Sequence, residues 1–416
     1  MYGHSHLTLL HADLKNKSAL TRHVLIKMVG VSLIGLFLPA ILRFEYGLSL
    51  SQIFLYESAY SIVAVVLMYT SGLRLIARHG TVTSMLVGIS LFILNFIVLY
   101  VSKTIPALLF LSPILAGCYV AYFRTWFHIS LAMGAGKDTH FGSTYSLIEI
   151  VGVVAGIIGP LIGGVLADQF GTTSLYIMTI ICLLLSCIPF FMDKNRTHHA
   201  FVYQPSQIRQ RVKQHKWFLR MVVGSFSGLS YVGFVASVVR SIILFGQLWS
   251  YSKVWLINFF SSGILFFLLR IIWKQIDANK QTILSKLRRV YLSLRGQGGV
   301  WLVAGLSMLM WFFWQGIFLL VDTLNKITNK VNETYIMATF YTIADHKKNM
   351  TVLLDTIFVR EFAIHVTRIV FCWILALFTF LVNDTQRWLI LPLFLVIAFT
   401  PLSMMLLKKR ARHQAV

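Results

Sequence analysis

Apolar stretches long enough to cross a bilayer as helices recur along the whole chain, separated by short polar or Gly/Pro breaks. Six lie at 24–44, 51–73, 81–102, 105–132, 142–168 and 174–192. After a basic stretch from Lys194 to Lys216, six more follow at 218–246, 253–273, 299–318, 319–345, 361–382 and 387–407. The pattern predicts an all-α polytopic membrane protein of twelve transmembrane helices. Residues 1–193 form an N-terminal six-helix bundle, 194–217 a basic cytoplasmic linker, and 218–416 a C-terminal six-helix bundle. The tenth stretch departs furthest from the pattern, because Asp322, Asn325, Lys326, Asn329, Lys330, Asn332 and Glu333 interrupt it.

Composition agrees with the pattern. Hydrophobic residues make up 57% of the 416 residues and charged ones only 12%, against about 25% charged in an ordinary soluble domain. The formal charge of +23 would suggest a nucleic-acid partner in a soluble protein. Here most of the Lys and Arg fall in alternate connections, which places them on the cytoplasmic side with both termini. The expectation is a multi-pass protein of the bacterial inner (plasma) membrane, with the lipid bilayer as partner and no nucleic acid. The first apolar stretch is too long for the core of a secretory signal and lacks a small-residue cleavage site. Cys118, Cys182, Cys187 and Cys372 lie in apolar stretches without paired spacing and read as packed thiols. His4, His6 and His11 read as a flexible tail more readily than as a weak metal site. No cofactor and no resident metal are expected.

Two motifs carry a resemblance. The run Ala155-Gly156-Ile157-Ile158-Gly159-Pro160-Leu161-Ile162-Gly163-Gly164, followed by Asp168 and Gly171, joins a proline bend to a face of glycines on which another helix can approach closely. It resembles the fifth-helix motif G-x-x-x-G-P-x-x-G-G of the major facilitator superfamily, often associated with antiporters, with Ala155 in place of the first glycine. The segment from Gly72 to Gly80, with Arg78, resembles the same superfamily's G-x-x-x-D-R-x-G loop signature, with Ala77 in place of the aspartate. The resemblance implies two pseudo-symmetric six-helix bundles. It also implies gating roles for Gly72, Arg78, Gly80, Gly159, Pro160, Gly163, Gly164 and Asp168. The missing latch carboxylate leaves Asp277, in the corresponding loop after the eighth helix, as the candidate for that role. The run Val359-Arg360-Glu361 with Thr367-Arg368 is similar to a pattern in poorly characterised bacterial members.

Charges at membrane depth are costly, so each is a candidate site or a structural ion pair. Arg124 and Glu149 fall at matching depths on adjacent helices, roughly 12 Å from the inner end at 1.5 Å per residue. They are expected to pair, which suits structure or anion recognition better than proton release. Glu57 has no cation within reach in its own helix. It is a candidate proton carrier, with pairing to Arg43 as the competing reading. Arg368 sits at nearly the depth of Glu149, without a partner visible in sequence. In the tenth segment Asn325, Asn329 and Asn332 share one helical face with Thr339. That stripe either lines a water-filled cavity or packs against another polar helix.

The chain contains no Walker lysine motif. The expected function is secondary active transport of a small, amphipathic molecule by alternating access, with proton-linked export suggested by the fifth-helix motif. Two other readings stand beside it: a polytopic membrane enzyme of acyltransferase type, with His128 or His365 as base, and a non-transporting sensor that kept the fold.

Overall fold

The computed structural model describes residues 21–124, 126–128, 141–191, 238, 241–242, 245–246, 248–256, 259 and 350–381. Among these residues there is no strand. Seven helices among the described residues are long and apolar enough to span a membrane. They match the first six expected stretches and the eleventh. The stretches 299–318, 319–345 and 387–407, most of 218–246 and 253–273, and the linker 194–217 lie outside the described residues. So do Asn325, Asn329, Asn332 and Asp277, and the side chain of Glu149.

Helix α1 spans Thr21–Phe44 and breaks just ahead of Pro39, which occupies the first turn of the segment Leu38–Phe44. At that position proline removes no intrahelical hydrogen bond. Helix α2, Leu50–Ile76, starts at a capping box. The Gln52 amide donates to Ser49 Oγ at 3.2 Å, and the Ser49 amide donates to Gln52 Oε1 at 2.7 Å.

Residues 72–80 depart from the expected simple loop. Met68–Gly72 form a π-helical turn and the backbone is helical from Leu73 to Val101, except at Gly80, where φ is +83°. Only glycine adopts that conformation without strain, so Gly80 ends the extension of α2 and starts α3, Val82–Val101. Helix α4, Pro106–His128, contains a second π turn at Val120–Arg124. The two π turns meet: a Cβ on Gly72 would lie 3.1 Å from the Ala121 carbonyl oxygen, and the Ser71 and Tyr122 hydroxyls are 2.9 Å apart. Such turns often mark functional positions, and this one carries Arg124.

Helices α5, Phe141–Phe170, and α6, Thr172–Phe191, are joined by Gly171 alone, at φ +75°. Helix α7, Met350–Leu381, runs antiparallel along α2. Ser51 Oγ donates to the Ala376 carbonyl at 3.0 Å, the Tyr60 and His365 rings are 5.8 Å apart, and Tyr69 meets Phe358 at 5.9 Å. Each step along α2 thus finds its partner one step back along α7.

Trp126, Tyr176, Phe37, Phe54 and Phe96 are fully buried in the interior. Phe110, Phe170, Leu377 and Phe380 point outward and are largely exposed, a pattern suited to lipid rather than to water.

Candidate functional site

Along the α2–α7 seam the polar side chains gather around one carboxylate. Glu361 is fully buried, and its Oε1 accepts from Arg360 Nη1 at 2.7 Å. His128 Nε2 of α4 lies 3.2 Å from the same oxygen. Glu361 Oε2 faces Arg124 Nη1 of α4 at 3.5 Å and His365 Nε2, one turn further along α7, at 3.9 Å. A single buried carboxylate therefore serves two guanidinium groups and the His128 imidazole, while the His365 ring lies nearby without hydrogen-bonding to it. Interior charge is tolerated when it is paired and hydrogen-bonded in this way.

The expected partner of Arg124, Glu149, has its side chain outside the described residues. Arg124 reaches Glu361, 237 residues away, because the π turn at Val120–Arg124 sits opposite the start of the α7 span. Sequence reasoning missed Glu361 as a site residue. The available signal was local: Glu361 and His365 are one helical turn apart, next to Arg360.

Glu57 lies one level along the same seam, half-buried. The expected alternative partner, Arg43, donates instead to the Leu48 carbonyl at 2.9 Å. Among the described residues Glu57 makes no direct ion pair, and the charge of Arg368 acts on it. Cys372, one turn beyond Arg368, feels both charges. Beside Glu57, the Tyr56 hydroxyl is 2.6 Å from Ser112 Oγ, which donates to Asn95 at 2.6 Å. This chain ties α2, α4 and α3 together.

The glycine face of α5 meets two surfaces. A Cβ on Gly159 would lie 2.9 Å from the Val29 carbonyl oxygen, and one on Gly163 would overlap the Leu33 carbonyl oxygen, so both glycines face α1. Gly164 faces the other way: its Cβ would be 3.0 Å from the Tyr251 carbonyl oxygen. Among the described residues, Gly164 is thus the glycine of this face that meets a segment from the second half of the sequence. Pro160 is buried within α5.

Asp168, at the end of α5, accepts from the Tyr251 amide at 2.9 Å, the Ser252 amide at 3.0 Å and Ser250 Oγ at 2.9 Å. It thereby caps the helical turn 251–256. Next to it Glu45 accepts from Tyr251 Oη at 2.9 Å, from Lys103 Nζ at 2.9 Å and from Thr172 Oγ1 at 2.7 Å. The sequence picked out Asp168 through its motif and gave no sign of Glu45 or Tyr251. Arg78, in the 72–80 segment, is exposed.

A profile described as Major Facilitator Superfamily matches residues 24–414. No curated protein sequence matches the chain. Among solved structures it is similar to one described as a POT family transporter in complex with thioalcohol conjugated peptide. The TM-score is 0.67 at 12% identity, covering 94% of this chain and 96% of that one.

Proposed function

Since the chain belongs to the major facilitator superfamily and has its twelve-helix fold, we propose that it is a proton-linked secondary transporter that exports a small amphipathic molecule. In this reading 1–193 and 218–416 are two bundles that rock about a site between them, joined by the linker 194–217. The end carrying Glu45, Asp168 and Tyr251 is the outer end, and both termini are cytoplasmic. Asp168 and Gly164 form the outer closure between α5 and the 250–256 segment.

The observation that carries the proton linkage is the state of Glu57. It is a half-buried carboxylate in the interior of a membrane protein, influenced by Arg368 yet not directly paired to it. It is faced by Arg368 and Cys372 from α7, with the Tyr56 and Tyr60 side chains on its own helix. A group so placed can bind and release a proton as the neighbouring cation approaches or withdraws. Glu361, held by Arg360, Arg124 and His128, is suited to holding α4 against α7 rather than to exchanging protons.

The test is reconstitution in liposomes containing a pH-sensitive dye. Glu57→Gln is expected to abolish substrate movement driven by a pH gradient while leaving counterflow intact, because exchange requires no net protonation change. Gradient-driven movement persisting in Glu57→Gln would remove Glu57 from the coupling, and loss of counterflow as well would make it structural.

A further inference from the structure

Tyr251 belongs to the second half of the sequence, and each of its groups meets the first half. Its amide donates to Asp168 at 2.9 Å, and its carbonyl oxygen lies where a Cβ on Gly164 would be 3.0 Å away. Its ring stands edge-on to Phe37 of α1 at 5.2 Å, and its hydroxyl donates to Glu45 Oε1 at 2.9 Å. The residue is buried. Two residues earlier, Trp249 has φ +50°, a left-handed backbone that is strained for so bulky a side chain. Such strain persists where neighbours over-determine it, and it is common in segments that switch.

The two oxygens of Glu45 have different tasks. Oε2 is held within the first half, by Lys103 Nζ just beyond α3 at 2.9 Å and by Thr172 Oγ1 of α6 at 2.7 Å, and these two partners are themselves 2.6 Å apart. Oε1 is thereby aimed at Tyr251. Other bonds also join the two halves, from Ser241 Oγ to the Leu36 carbonyl at 2.6 Å and from Trp255 Nε1 to the Ile157 carbonyl at 3.1 Å. Both end on neutral backbone, whereas a bond to a charged acceptor is the stronger kind. The Glu45 and Lys103 side chains keep 28% and 30% exposure, so water can solvate them when Tyr251 withdraws. Glu361, with no exposure, has no such relief.

We infer that Tyr251 is a plug, latched by Glu45, that holds the two halves together at the Asp168 end, and that Lys103 and Thr172 are positioning residues for this latch. The inference rests on the alternating-access reading above and names the residues that govern it. The latch is separate from the Asp168 cap, because Asp168 binds the 251 and 252 amides and Ser250, while Glu45 takes the Tyr251 hydroxyl. Tyr251→Phe therefore removes the latch and leaves the cap.

The test measures the distance between spin labels at Thr104→Cys and Lys253→Cys, both exposed, on the full-length protein in liposomes. The four native cysteines are replaced by alanine in this background. Tyr251→Phe is expected to raise the ratio of the longer to the shorter distance about tenfold, the effect of losing one charge-assisted bond that water partly replaces. Glu45→Ala should raise it at least as much, and adding Tyr251→Phe to Glu45→Ala should change it no further, because both act through one bond. Thr172→Val is expected to raise the ratio about threefold on its own and to leave it unchanged in the Tyr251→Phe background.

A tyrosine that only fills space would lower the thermal midpoint without moving the ratio, and that result would overturn the latch. Effects of Tyr251→Phe and Glu45→Ala that multiply in the double variant would overturn it too, and a Thr172→Val effect that survives Tyr251→Phe would remove the positioning role. If the parent exchanges between two distances and Tyr251→Phe leaves their ratio alone, the latch fails and the transport reading stands. One distance in every variant and condition would remove both.

Discussion

Replacing Glu361 with Gln is expected to destabilise the protein by about 3–5 kcal/mol, the cost typical of breaking a buried ion pair by removing one partner. The change leaves Arg360, fully interior, and Arg124 without the carboxylate they share. It also removes the acceptor beside His128 at 3.2 Å. Glu361→Asp keeps the charge and should recover part of the loss. The measurement is the thermal midpoint of the purified protein, which should fall by several degrees in Glu361→Gln. A second signature lies in the coupling. Arg124→Gln combined with Glu361→Gln should cost less than the two single changes added together, because residues in one ion network do not act independently. A midpoint unchanged in Glu361→Gln would contradict the central place given to this carboxylate.

Gly163→Leu is expected to prevent most of the protein from folding. A Cβ at this position falls on the Leu33 carbonyl oxygen of α1, and the atom in the way is backbone rather than the end of a flexible side chain. Overpacking a well-filled interior ordinarily costs about 1–3 kcal/mol, and here the two helices would have to separate. Gly163→Ala should already reduce the amount of folded protein. The control is Gly156→Ala on the same helix, where an added Cβ meets nothing within 4 Å. Alanine favours the helix over glycine by up to about 1 kcal/mol, so that variant should fold as well as the parent or better. Size-exclusion profiles of the membrane-extracted protein separate the three. A monodisperse Gly163→Leu protein in normal yield would contradict the close α1–α5 contact.

These two cases show what a sequence can and cannot reveal in a membrane protein. The spans were legible because the bilayer demands about 20 apolar residues in each helix, and the helices from Thr21–Phe44 to Thr172–Phe191 appear where the apolar stretches predict them. The glycine run of α5 was legible as a packing face, but not the surface it meets. Gly163 turns to α1 and Gly164 to Tyr251 because one helix presents its opposite sides to different neighbours. Partners of buried charges were least legible. Arg124 finds Glu361 and Asp168 finds the 250–252 backbone across separations of 82 to 237 residues, which no local spacing encodes. The π turns at Met68–Gly72 and Val120–Arg124 also leave no mark on the apolar pattern, yet one of them carries Arg124 to Glu361.

The central claim is that this protein works by alternating access, closed in this structure at the Asp168 end. The most direct test places spin labels at Thr104→Cys and Lys253→Cys, two exposed positions at that end, and measures the distance distribution between them in liposomes. A short distance matching the closed arrangement is expected, together with a longer one that grows when Asp168→Ala removes the cap on residues 250–252. A single short distance, unchanged by Asp168→Ala, by a pH gradient and by added substrate, would contradict the claim.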